Sequence, residues 1–123
     1  MLVAVGAVVL RDVTGDYLKV ALVGLSRQRH ASVDNLANME TPGYVAKRVD
    51  FETALRRAVT SGRTPTVSAS TSVSDAPTAQ NGNNVAVDDE LLLMSENSMR
   101  QQLVVESLNS RYRILRTAIG AQP

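Results

Sequence analysis

At 123 residues the chain is one domain or less, and with no Cys, no Trp and a single Phe it has few large side chains for a self-sufficient core. A formal net charge of +1, with acids and bases interspersed, excludes a basic stripe for nucleic acid and an acidic solvating tail, and the missing Cys excludes disulfides and thiolate metal sites. The 44% hydrophobic content is mostly Ala, Val and Leu, which suits long helices packed on other helices better than an enzyme pocket, so partner chains are expected to complete the burial.

The opening run MLVAVGAVVL lacks the charged start and small-residue cleavage site of a secretory signal, and it is too short to span a bilayer. Residues 1–11 are therefore expected to be a disordered N-terminal extension, or else the product of too early a start codon. From about Asp16 to Asn38, Leu18, Leu22, Leu25 and Leu36 fall on a 4-3-4-3-4 ladder whose other rungs are Arg29 and Ser32, the spacing of an amphipathic helix. Asp12 and Thr14 are candidate N-caps, and Arg27 and Arg29 suit the later turns of the helix dipole. His30, the lone histidine, has no second ligand or nucleophile at a useful spacing and reads as a surface or interface residue.

The helix has to stop before Thr41. Pro42 and Gly43 suit the second and third positions of a type II turn, Pro42 pushes Thr41 out of the α region, and Asn38 is a candidate for a left-handed helix end. Asn35 and Asn38, one turn apart, can direct their amides at the backbone groups this reversal leaves unpaired.

Beyond the turn, residues 45–49 read as extended, and Asp50 can cap a short helix on which Phe51, Leu55 and Val59 recur every four residues. Lys47, Arg48, Arg56 and Arg57 read as a solvated face. From Thr60 to Asn84 the composition shifts to Ser, Thr, Pro, Gly, Ala and Asn, which predicts a linker or locally disordered loop, with a short hairpin gained on packing as the rival; Asn81-Gly82-Asn83-Asn84 is a turn signal within it.

The last element carries the strongest pattern. Leu91, Met94, Ser98, Gln101, Val105, Leu108, Tyr112, Leu115 and Ile119 repeat at 3-4 spacing without a break, the seam of a coiled-coil-like helix, and Leu92, Met99 and Leu103 widen the stripe. Asp88, Asp89 and Glu90 supply a cap and the negative charge favoured at a helix start, Arg111, Arg113 and Arg116 the positive charge near its end, and Gly120 a stop.

Two strings carry a resemblance. Asn35-Leu36-Ala37-Asn38, followed by Thr41-Pro42-Gly43-Tyr44, resembles the N-terminal signature of the bacterial flagellar axial proteins, which build the rod, hook and hook-filament junction. The segment from Asn81-Gly82-Asn83-Asn84-Val85 through Asp88, Glu90, Met94, Glu96 and Asn97 to Leu108-Asn109, Arg111-Tyr112, Leu115 and Ala118-Ile119 looks like the C-terminal half of the proximal-rod members of that family. Together they span roughly Asp12 to Gly120; Gln101 stands where the family often has an aromatic residue, and the first ten residues have no counterpart.

What the resemblance implies is a non-enzymatic subunit of the basal-body rod, exported from the cytoplasm by the flagellar type III apparatus and self-assembling with other rod proteins and the ring-rod junction protein into the shaft that transmits torque across the periplasm. No cofactor, metal, nucleic acid or small-molecule substrate is expected, and the chain would be a homo-oligomer within the rod. Its functional residues would be the signature turn, Asn35, Ala37, Asn38, Thr41, Pro42, Gly43 and Tyr44, and an assembly seam of Leu18, Leu22, Leu25, Leu36, Leu91, Met94, Val105, Leu108, Tyr112, Leu115 and Ile119. The alternative is a secreted helical-hairpin adaptor that dimerises through its C-terminal helix. The fold class expected is mainly α, with two long terminal helices pairing as a coiled-coil-like hairpin, a short helix, and a flexible or weakly β middle segment. Residues 12–59 and 88–123 would form one rod-core domain around a linker at 60–87.

Overall fold

The computed structural model describes residues 13–63 and 69–120. The expected extension over residues 1–11, and Asp12 as a cap, lie outside them. Five elements follow in order: α1 (Val13–Ala37), β1 (Lys47–Asp50), α2 (Glu52–Ser61), β2 (Ser70–Val73) and α3 (Val87–Ala118). The chain is mainly helical, and its two long helices pack together as a hairpin. Asn35 meets Glu90 near one end, Leu25 meets Asn97 further along, and Lys19 lies over Tyr112 near the other, so the helices run antiparallel. At 1.5 Å per residue α3, with 32 residues, is about 48 Å long and α1, with 25, about 37 Å.

Several local readings are corrected. Thr14 lies inside α1 and is no cap. Asp88 is likewise within the first turn of α3, whose N-cap is Ala86 without a side-chain cap bond. Asn38 does not take a left-handed conformation, since no described residue other than glycine has positive φ. It ends α1 by donating from both its backbone N–H (3.1 Å) and its Nδ2 (2.8 Å) to the Asp34 carbonyl.

The N-cap of α2 is Phe51, not Asp50, but Asp50 still serves the first turn from the residue before it: Oδ1 accepts from the Thr53 N–H at 3.1 Å and Oδ2 from the Thr53 hydroxyl at 2.6 Å. These two bonds to Thr53, the hydroxyl's first, hold the Asp50 carboxyl below its ordinary pKa. Part of the segment read as a linker supplies β2, which pairs antiparallel with β1 in the register Lys47 to Val73, Arg48 to Ser72, Val49 to Thr71 and Asp50 to Ser70.

Among the described residues the buried apolar core is small: Leu25, Ala31, Ala46, Phe51 and Leu108. Phe51, between β1 and α2, lies flat on α1 at Gly24. A Cβ built on Gly24 would sit 2.2 Å from the Phe51 ring, so only glycine admits the ring there. Gly24→Ala would gain about 1 kcal/mol in helix propensity, yet it must displace a buried ring, an overpacking cost of about 1–3 kcal/mol. A lower urea midpoint is expected; a higher one would show that Phe51 moves freely.

Candidate functional site

Asn35 is fully buried in the last turn of α1 and uses its whole hydrogen-bonding capacity. Its Nδ2 donates to the Lys47 carbonyl at 2.9 Å and to Glu90 Oε1 at 3.0 Å, while its Oδ1 accepts from the Lys47 N–H at 2.8 Å and the Tyr44 hydroxyl at 2.9 Å. To Lys47 the primary amide offers what a third strand would: one acceptor and one donor, side by side. Gln28 does half as much one stride along, donating from Nε2 to the Val49 carbonyl at 3.1 Å. The edge of β1 turned away from β2 is thus covered by side chains of α1.

The signature turn closes over this amide. Tyr44 donates its N–H to the Thr41 carbonyl at 3.2 Å, and Gly43 has φ 74°, as a type II turn with Pro42 and Gly43 at its centre requires. The Thr41 hydroxyl donates to Asn38 Oδ1 at 3.1 Å. Burial first, and then the carboxylates of Asp34 and Glu90, raise the Tyr44 phenol above its ordinary pKa, which keeps it a donor to Asn35. Thr41, Pro42, Gly43 and the helix-ending Ala37 are exposed, while Asn38 and Tyr44 are half-buried.

The Asn81–Asn84 string, read as a turn within a linker, clasps the signature turn. Asn83, buried, donates from Nδ2 to the carbonyls of Asn38 and Thr41, both at 2.8 Å, and its Oδ1 accepts from the Val85 N–H. Asn84, also buried, accepts from the Ala46 N–H at 2.7 Å and donates to the carbonyls of Ser74 and Ala76. The Gly43 N–H reaches the Asn81 carbonyl at 2.8 Å, and Gly82 lies so near that a Cβ on it would be 3.3 Å from the Gly43 Cα. Composition hid this, because an asparagine-rich string reads as solvated; the two carbonyls Asn83 serves lie 45 and 42 residues upstream.

Two charged readings also change. Glu90 is no mere helix-start charge but fully buried; its Oε1 accepts from Asn35 and from the guanidinium of Arg48, while Oε2 is buried without a protein partner. Arg48 accordingly leaves the solvated face. Beyond this pair, a cleft of about 210 Å³ between α1, β1 and α3 is lined by mixed charges that include Lys47, Glu96 and the Arg100–Glu52 bridge. No group of three His, Asp or Glu among the described residues could hold a metal.

The sequence-predicted seam is not one buried face. Leu25 and Leu108 are buried, Leu18, Leu22, Leu36, Met94 and Leu115 half-buried, and Leu91, Val105, Tyr112 and Ile119 exposed. The face that α3 turns to the rest of the chain runs Glu90, Met94, Asn97, Gln101, Val104, Leu108, Arg111, Leu115. It shares every seventh residue with the predicted seam, but its other members are the residues before Leu91, Ser98, Val105 and Tyr112. Asn97 anchors it, donating to the Leu25 carbonyl at 2.9 Å and accepting from Gln101 at 2.7 Å. Leu91, Leu92, Met99, Leu103 and Ile114, each more than half exposed, leave α3 with an outward apolar surface. None of the helices among the described residues is long and apolar enough to cross a membrane.

No protein-family model matches the chain. It is similar to the flagellar basal body rod protein FlgB of Bacillus subtilis, 30% identical over 115 residues that cover 83% of this chain and 89% of the relative. It is also similar to the protein of that name from Cereibacter sphaeroides, 31% identical over 125 residues that cover 91% of this chain and 97% of the relative.

The amide at position 35 permits a sharp test. Asn35→Asp keeps the shape, but it removes the donors to Lys47 and Glu90 and sets one buried carboxylate against another, so a loss of about 3 kcal/mol or more is expected in urea unfolding at neutral pH. A near-neutral result would show that the amide is not the anchor. At Gly43 a Cβ would meet nothing within 4 Å, so any cost there is conformational: Gly43→Val should destabilise more than Gly43→Asn, by about 1 kcal/mol. Equal midpoints would remove the positive φ as the reason for glycine.

Proposed function

The chain belongs to the FlgB family of flagellar basal body rod proteins, and from that premise we propose that it is a non-enzymatic structural subunit that self-assembles, with other rod proteins and the ring-rod junction protein, into the torque-transmitting shaft. It reaches the periplasmic rod by export through the flagellar type III apparatus. The observation that carries the assembly step is the outward apolar surface of α3. Leu91, Val105 and Tyr112 are 54%, 41% and 47% exposed on a helix whose inward face is held by Glu90 and Asn97. Apolar surface at heptad spacing, left outside while polar groups are buried inside, suits a subunit whose burial is completed by neighbours. Subunits that meet through different surfaces add without closing on themselves, the requirement for a tube. The signature turn serves as the rigid corner that fixes where α3 starts relative to α1.

Val105→Asp tests this, because Val105 is partly exposed, so a carboxylate there keeps its water in the free subunit and loses it only once a neighbour covers the stripe. The variant is expected to fold with wild-type helicity and to be secreted, but to leave cells non-motile and absent from isolated basal bodies. Normal motility would exclude the stripe from the assembled interface, and a closed dimer of the wild-type chain in solution would favour an adaptor instead.

A further inference from the structure

α3 carries two overlapping faces that share Met94, Gln101, Leu108 and Leu115. One adds Leu91, Val105 and Tyr112; the other, which the structure turns inward, adds Glu90, Asn97 and Val104. By apolar burial alone the first should win. A helix turns about 100° per residue, so moving one half of each pair by a residue shifts the centre of the face by about 50°. We propose that Glu90 and Asn97 are positioning residues that set the rotation of α3, holding its richer apolar stripe outward. The use of that stripe for assembly rests on the function proposed above; the rotation itself does not.

Two observations favour this. Both side chains point from α3 into α1: Glu90 is bonded to Asn35 and to Arg48 of β1, and Asn97 to the Leu25 carbonyl, the residue that is itself the most buried leucine of α1. A rotation of about 50° would pull both from their partners and leave Asn35 with an unfilled donor. Moreover, Glu90 Oε2 is buried without a partner, a cost that an apolar residue at this position would not carry. Buried polar pairs are well suited to selecting one helix packing over a near-degenerate alternative.

The chain has no cysteine, so a single one introduced at Val105 or Val104 reports its own accessibility by thiol labelling of the isolated subunit. In the native background Val105→Cys should label faster than Val104→Cys, as the exposures of the two valines require. With Glu90→Leu and Asn97→Leu together, helicity should persist and the ratio of the two rates should fall by about tenfold as α3 rotates to bury its apolar stripe. Asn97→Leu alone, which keeps the Glu90–Arg48 pair, should move the ratio in the same direction by less. Glu90→Gln, which keeps an acceptor for Asn35 and Arg48, should leave it unchanged. An unchanged ratio in both leucine variants, or an equal fall with Glu90→Gln, would overturn the proposal whatever becomes of the motility tests. Non-motile cells bearing an unrotated Val105→Asp subunit would leave the rod reading standing by itself.

Discussion

Everything at the closed end of this hairpin depends on one side-chain amide filling four bonds at once. Asn35 faces a strand, a phenol and a carboxylate from three later parts of the chain, and each partner uses it differently: Lys47 as a neighbouring strand, Tyr44 as an acceptor, Glu90 as a donor. A carboxylate could not donate, a hydroxyl could not span the two groups of Lys47, and an apolar residue would leave buried polar atoms orphaned. The type II turn at Pro42 and Gly43 is the means by which Tyr44 and Lys47 are brought back onto the helix that precedes them.

The distribution of polarity follows from that anchor. Ser32, Asn35, Asn83, Asn84, Glu90 and Asn97 are buried while Leu91, Leu92, Met99 and Leu103 of α3 are outside, the reverse of a self-contained globule. Asparagines that satisfy backbone carbonyls give this corner a defined geometry without a large core. The apolar surface that ordinary folding would consume is left over on the outside of α3.

How far the sequence discloses this depends on the range of the interaction. The turn is legible because Pro42 and Gly43 constrain their own backbone, and Asp50 is legible because its partner is three residues away. Both long helices are legible from spacing, as is the seven-residue repeat of Met94, Gln101, Leu108 and Leu115. The phase of the companion positions is not. Hydrophobicity selects Leu91 and Val105, whereas the structure selects Glu90 and Val104, because Asn35 and Leu25 lie 55 and 72 residues away from the side chains that meet them. Gly24 is silent in the sequence for the same reason: only the arrival of Phe51 makes its missing Cβ matter. Within the segment read as a linker, Asn83 and Asn84 can be assigned only once their carbonyl partners are known.

The separation of these partners along the chain also shapes the order of folding. A helical hairpin with a tight loop forms from local contacts and closes quickly, but here the bonds that seal the corner join residues 38 and 41 to residue 83, and residue 35 to residue 90. Such a high sequence separation slows closure, since the intervening loop must lose its freedom before any bond compensates for it. During synthesis the N-terminal helix, its turn and the Asn35 bonds to Tyr44 and Lys47 emerge well before Asn83 and Glu90, so the corner can begin from local bonds but cannot be clasped until those later residues arrive. The fold is committed late, by the segment that composition would rank as the least structured.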